Sequence, residues 1–283
     1  MGRFSKLEWE SGDKSKKETL EEKETLLSQA PEEAEIYDYH YYIHKAGNFY
    51  YTGEFKNALR QYSRALQFDN SQRDPWIGQI QCLISLNQMK EADLWISRGL
   101  EVFPEDPLIL SLRGVIYAYR GMIKRAIATS DYALTKKRAA DPLIWIARGE
   151  ILLMADNDNA SHCFEKALEM INKDDWENLM LIGLVFFRKK QYSQASKYFQ
   201  NACLINISNF YLWYYLGLTY EKLGFAQKAI DAYQRSIENN QRFRESSIAL
   251  YRITHTSILK KIILLPFLPI KIIMKVFAQK KIN

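Results

Sequence analysis

The stretch WYYLGLTYEKLGFAQKAIDAYQRS, residues 213–236, decides the fold. Its second half carries Ala229, Tyr233 and Ser236 at i, i+4 and i+7, which places all three on one face of a helix. Two small residues flanking a ring let a neighbouring helix approach closely while the ring fills the gap. The same small–large–small pattern recurs upstream at Ala58/Tyr62/Ala65, Ala92/Ile96/Gly99, Ala126/Ser130/Ala133, Ala160/Phe164/Ala167 and Ala195/Phe199/Ala202. The leading alanines are spaced 34, 34, 34, 35 and 34 residues apart. A hairpin of this kind cannot bury its small-residue face alone, so each unit must be covered by the next, and self-similarity at this period predicts a solenoid.

The first half of the stretch also repeats. Gly114, Gly183 and Gly217 each lie 12 residues before their alanine, with Tyr117, Phe186 and Tyr220 three residues further on. Trp76, Trp145 and Trp213 share one place near the start of the same helix, and Pro107 and Pro142 stand where a first helix begins and a missing N–H is tolerated. Gly53, Gly121 and Gly224 fall in the turn between the two helices, where a positive φ favours glycine.

Trp213-x2-Leu216-Gly217-x2-Tyr220 followed by Ala229-x3-Tyr233-x2-Ser236 resembles the tetratricopeptide-repeat consensus. The resemblance extends over roughly residues 38–241 and implies an all-α solenoid of helical hairpins, a right-handed superhelix of about six repeats. Several units depart from the pattern. The second has Ile80 in place of the glycine, the third has Ser130 in place of the ring, and Arg113 and Arg148 stand where Leu is usual. In the fourth, Gly149 precedes Ala160 by 11 residues, and the segment around Lys136–Asp141 restores the register. Local irregularity is expected there.

In proteins of this family the first helix of each repeat lines the concave face, which nominates a partner-binding surface here. From the first two repeats it takes Ile43, Tyr50, Ile77 and Gln81; from the third and fourth, Leu108, Ser111, Val115, Ile146 and Glu150. The last two contribute Met180, Leu184 and Phe187, then Tyr211, Tyr214 and Leu218. Family members that bind chaperone tails use a Lys/Asn/Asn/Lys/Arg clamp. The equivalent places here hold Ile43, Gly47, Gly78, Leu108 and Leu112, so that clamp is absent. An apolar, aromatic groove suits an apolar segment of a protein partner, although a tightly wound superhelix would bury part of this set itself.

Composition narrows the rest. Of 283 residues, 12 are Gly and 7 Pro against 18 Tyr and 14 Phe, a balance that favours helices packed on helices. The three cysteines, Cys82, Cys163 and Cys203, form no C-x-x-C, which indicates neither a zinc site nor a disulfide framework and fits reduced thiols in the cytoplasm. His40 and His44 form an i, i+4 pair among tyrosines and are read as aromatic packing. No phosphate-binding glycine motif and no H-E-x-x-H occurs. The reading is therefore of a non-catalytic chain with no cofactor, no metal and no small-molecule substrate. The net charge of +6 resides in the tail: residues 242–283 sum to +8 and residues 1–36 to −4, leaving a body near +2 without the basic stripe that nucleic-acid binding requires.

The ends differ from the body. Residues 1–37 are read as a charged flexible arm, with no apolar stretch of the kind a secretory leader needs. Residues 242–261 are read as a capping helix, with Ile248, Tyr251, Ile258 and Ile262 on its buried face. Residues 262–283 combine an uncharged run with a basic amphipathic stretch. Lys260 and Lys261 just before it and Lys271 and Lys275 within it accompany Phe267 and Phe277, a pattern suited to an anionic membrane surface on its cytoplasmic face. Lysines and two prolines argue against a transmembrane span. The function these features imply is a protein–protein interaction scaffold or adaptor. The alternative is an accessory or regulatory subunit of an enzyme or of a secretion or assembly complex.

Overall fold

The computed structural model describes residues 38–136 and 140–264, and side chains as far as residue 255. Its helices are α1 (Tyr39–Tyr51), α2 (Phe55–Phe68), α3 (Arg73–Ser85), α4 (Met89–Val102), α5 (Pro107–Tyr119), α6 (Ile123–Leu134) and α7 (Pro142–Met154). They continue as α8 (Ala160–Met170), α9 (Trp176–Arg188), α10 (Tyr192–Ile205), α11 (Phe210–Lys222), α12 (Ala226–Asn239) and α13 (Arg244–Leu264), with no strand among the described residues. The first twelve pair as six hairpins in a helical-repeat solenoid, and α13 packs on the sixth.

Packing follows the repeat pattern. The six leading alanines are exposed by 3% or less, so each lies at a close helix contact. A Cβ built on Gly149, Gly183 or Gly217 would stand 2.6, 2.7 or 2.6 Å from the ring of Phe164, Phe199 or Tyr233, all of which are fully buried. Glycine inside a helix costs about 0.5–1 kcal/mol relative to alanine, whereas fully burying a large apolar side chain is worth about 1.5–3 kcal/mol. The glycines are retained because the ring burial is the larger effect.

The irregular units solve the same problem differently. The second hairpin faces Ile80 with Ile96, both fully buried. In the third, the space beside Ser130 is reached from the next hairpin by Arg148, whose Nη1 donates to Ser130 Oγ at 2.8 Å and pairs with Asp131 at 2.5 Å. Arg113 donates to Ser97 Oγ at 2.9 Å. Each arginine thus takes over packing that an apolar residue supplies elsewhere.

The turn inside every hairpin has one residue with positive φ. These are Gly53 (78°), Asn87 (59°), Gly121 (76°), Asp156 (51°), Lys190 (59°) and Gly224 (81°). Only three of the six are glycine, so the 34-residue period imposes left-handed backbone even where the side chain disfavours it. First helices of several hairpins begin on side-chain caps. Asp106 and Asp141 accept from the backbone N–H of Leu108 and Leu143 at 3.0 and 2.9 Å, ahead of Pro107 and Pro142. Arg73 bridges these two caps, at 3.5 Å from Asp106 and 3.2 Å from Asp141.

Helix α13 corrects one expectation. Its buried side chains are Ser246, Ala249 and Ile253, while Ile248 and Tyr251 are 61% and 64% exposed. The reason is spacing: Ser236 and Ser246 hydroxyls meet at 2.6 Å, and only small residues permit α13 to lie that close to α12. Ile258, Ile262 and the expected arm and tail segments lie outside the described side chains.

The six hairpins wind far enough for the first to touch the fifth and sixth. The Asn209 amide donates to the carbonyl of Tyr51 at 3.2 Å. The Tyr51 ring packs edge-on against Trp176 with centroids 5.3 Å apart, and the Tyr211 ring lies directly against Gly53. Leu181 of α9 joins the Tyr50–Ala58–Cys82 cluster of the first two hairpins.

At the turns, Gly224→Ala is expected to cost about 1–2 kcal/mol because alanine must enter left-handed backbone. Lys190→Gly is expected to be neutral or stabilising by up to about 1 kcal/mol. Denaturant unfolding of the two variants checks this; equal losses would show that side-chain contacts, not backbone strain, govern these turns.

Candidate functional site

Closure of the winding leaves a cavity on the inner side, of about 530 Å³, lined by residues of all six hairpins, the last contributing Tyr215. Leu108, Leu112 and Val115 come from α5, Ile146 from α7, and Met180, Leu184 and Phe187 from α9, with Tyr50 facing them from α1. These walls are apolar because the inward faces of successive first helices carry the residues at i, i+4 and i+7 that the 34-residue register aligns.

Of the expected surface, Tyr50, Gln81, Leu108, Val115, Ile146, Glu150, Met180, Leu184 and Phe187 meet at this cavity. The others do not. Ile77 belongs to the core between the second and third hairpins, and Ser111 is fully buried with its hydroxyl donating to Pro107 O at 2.7 Å. Tyr211 and Tyr214 spend their rings on Tyr215 and Phe243, and Leu218 packs beside Tyr233 and Ala249. Ile43 is half-buried on α1 away from the cavity. Ile77, Ser111 and Tyr211 are buried, whereas Ile43, Tyr214 and Leu218 stay half-buried outside the cavity.

Two residues outside the expected set, Tyr119 and Arg188, also line the cavity. Both lie seven residues before their repeat alanine, as does Ser85, so extending the register by one position would have found all three. Tyr119 and Arg188 converge on Glu150. Its Oε1 accepts from Tyr119 Oη at 2.7 Å and from Arg188 Nε and Nη2 at 3.2 and 2.7 Å. Burial and the Glu150 charge raise the pKa of the Tyr119 phenol. Loss of water opposes the Arg188 charge, but the Glu150 carboxylate outweighs it and the guanidinium pKa is raised. The phenol therefore stays neutral and the guanidinium stays charged near neutral pH.

The remaining candidate chemistry is occupied structurally. Cys82, Cys163 and Cys203 are free and buried, and burial pushes the Cys82 and Cys203 thiols up to about 12, which keeps them protonated. His44 Nδ1 lies 3.3 Å from the amide of Asn48, and His40 packs edge-on against Tyr39. No described helix is long and apolar enough to cross a membrane.

In the fourth, fifth and sixth hairpins the small position of the first helix and the large position of the second meet as the repeat consensus requires. The chain is an all-α helical-repeat solenoid whose hairpins carry the tetratricopeptide pattern. A family model described as "Anaphase-promoting complex, cyclosome, subunit 3" matches residues 154–236. Among curated proteins, the chain is similar to "Protein CTR9 homolog" of Arabidopsis thaliana, at 25% identity over 171 residues, covering 58% of this chain and 16% of that protein. It is also similar to "Cilia- and flagella-associated protein 70" of Homo sapiens, at 36% identity over 78 residues, covering 27% of this chain and 7% of that protein. The tetratricopeptide solenoid thus spans less than a fifth of these relatives' lengths. Similar solved structures include the APC/C hetero-tetramer Cut9–Hcn1, with TM-score 0.47, 16% identity and coverage of 81% of this chain and 44% of that chain. Another is YrrB, described as a TPR protein with an unusual peptide-binding site, with TM-score 0.39, 18% identity and coverage of 66% and 96%.

Proposed function

We propose that this solenoid is a non-catalytic protein-interaction scaffold that takes a short apolar segment of a protein partner into its inner cavity. The cavity supports this reading: apolar side chains from successive repeats converge on about 530 Å³, a volume in the range of ligand-holding pockets. Binding there is dominated by apolar burial and depends little on salt. A photo-crosslinking amino acid at Leu184, inside the cavity, is expected to capture a partner through an apolar segment. The same group at Leu204, an 82% exposed position on α10, serves as the control. Capture from Leu204 alone would move the binding surface to the outside of the solenoid.

A second reading is that of an accessory subunit of a larger assembly. It is supported by the similarity of residues 154–236 to a model of a complex subunit and by the exposed Ile248 and Tyr251 on the last helix. The two readings are compatible, since a scaffold inside a complex uses the same groove.

We also propose that the basic C-terminal segment associates with anionic membrane surface, at the cytoplasmic face. Lys260, Lys261, Lys271 and Lys275 each contribute about 1 kcal/mol near such a surface, which suffices only together with insertion of Phe267 and Phe277. The full chain is expected to sediment with phosphatidylserine vesicles and a truncation ending at Thr256 to remain in solution. Equal behaviour of the two would remove the membrane role and leave the scaffold role intact.

A further inference from the structure

The register of the solenoid does not stop at the sixth hairpin. Helix α13 starts at Arg244, 34 residues after α11 starts at Phe210. It is buried where a first helix is buried: Ser246 and Ile253 stand 34 residues after Leu212 and Thr219, and all four are buried. Gly149, Gly183 and Gly217 mark the place at which a first helix faces the ring of its own second helix. The residue 34 positions after Gly217 is Tyr251, which is 64% exposed and stacks on His255 of its own helix. Among the described residues, α13 is thus a first helix whose second-helix side is open.

The open side is a stripe. Ile248, Tyr251 and His255 stand at i, i+3 and i+7, and all three are exposed. In the sequence, Ile258 and Ile262 continue this alternation of three and four, the spacing of a seam between two helices. The sequence beyond Leu264 supplies a helix to match it. The six second helices have 11 to 14 residues, and residues 270–281 are 12 residues without Gly or Pro. There Ile270, Ile273 and Phe277 repeat the spacing, with Met274 beside them and Lys271 and Lys275 on another face. Pro266 and Pro269 break the helix between the two segments and leave a connection of five residues, 265–269, a usual length between antiparallel helices. A helix of this length spans about 18 Å, and His255 lies about 14 Å back from Leu264 along α13, so the segment reaches past it. The short tether also holds it at an effective concentration in the millimolar range, which favours it over a second copy of the chain.

We propose that residues 270–281 are the second helix of a seventh, atypical hairpin and fold back over the open face of α13 when no membrane is present. Phe277 then packs beside His255, Ile273 lies nearer the turn, and Lys271 and Lys275 face water. Because Phe277 cannot be in both places, docking on α13 and insertion into a membrane exclude one another.

Cysteine labelling of the full chain tests this. His255→Cys and, as a reference, Leu204→Cys each add one accessible thiol to a chain whose native cysteines are buried. In vesicle-free buffer the thiol at 255 is expected to react with a maleimide about tenfold more slowly than the one at 204. Adding Ile273→Glu and Phe277→Glu should bring it to the reference rate, and diluting the protein about 100-fold should change nothing. Hydrogen exchange of the unaltered chain, which needs no substitution, should find slow amides across 270–281 that become fast in the doubly substituted chain. Equal labelling at 255 and 204, or fast amides across 270–281 in the unaltered chain, would overturn the proposal. So would protection that survives both Glu substitutions, or protection lost on dilution, which would assign the stripe to a second copy.

Discussion

Everything in this molecule depends on how closely the two helices of one hairpin approach. That distance is held by a small residue in the first helix against a ring in the second: Gly149 with Phe164, Gly183 with Phe199, Gly217 with Tyr233. A larger residue at the first position would push the helices apart, and overpacking of this kind typically costs about 1–3 kcal/mol. Because each hairpin packs on the next with the same spacing, a displacement in one pair becomes a rotation of every hairpin beyond it. The register sets the local contact and, through it, the curvature of the whole winding.

Curvature then makes the site. The winding is tight enough to bring Tyr51 of the first hairpin against Trp176 and Asn209 of the fifth and sixth, and this contact turns an open groove into a walled cavity. Individually these contacts are modest, since one neutral hydrogen bond contributes about 0.5–1.5 kcal/mol. Their effect is geometric. They hold Tyr50 opposite Leu184 and Phe187. The charged cluster comes from the stacking of the third, fourth and fifth hairpins, which supply Tyr119, Glu150 and Arg188 in turn.

Much of this was legible in the sequence because the repeat is local. The spacing of Ala58 through Ala229, the glycines of the first helices and the turn glycines each report contacts within one hairpin or between neighbours, and the structure has them where the period places them. What the period does not carry is long-range closure. Tyr211 and Tyr214 stand at groove positions by register, yet the winding and Phe243 cover them. Ile248 and Tyr251 are exposed for a related reason: beyond the last repeat, apolarity alone does not mark the buried face, because Ser236 demands small partners and selects Ser246 and Ala249. Asn87, Asp156 and Lys190 occupy left-handed turn positions without the glycine that would have announced them. Arg188 was hidden by its charge, because an arginine beside an apolar groove reads as surface until its carboxylate partner, 38 residues away, is known.

The most direct test of this account is whether the first and sixth hairpins touch in solution. Asn48 and Ser208 are both exposed and face each other across the cleft between α1 and α11, and the native cysteines are buried, so cysteine replacements at these two positions take spin labels selectively. Electron–electron double resonance on the doubly labelled full chain is predicted to give one narrow, short distance, unchanged when the label pair is read at high salt. A broad distribution, or a second population at the longer separation of an open superhelix, would contradict closure and with it the walled cavity.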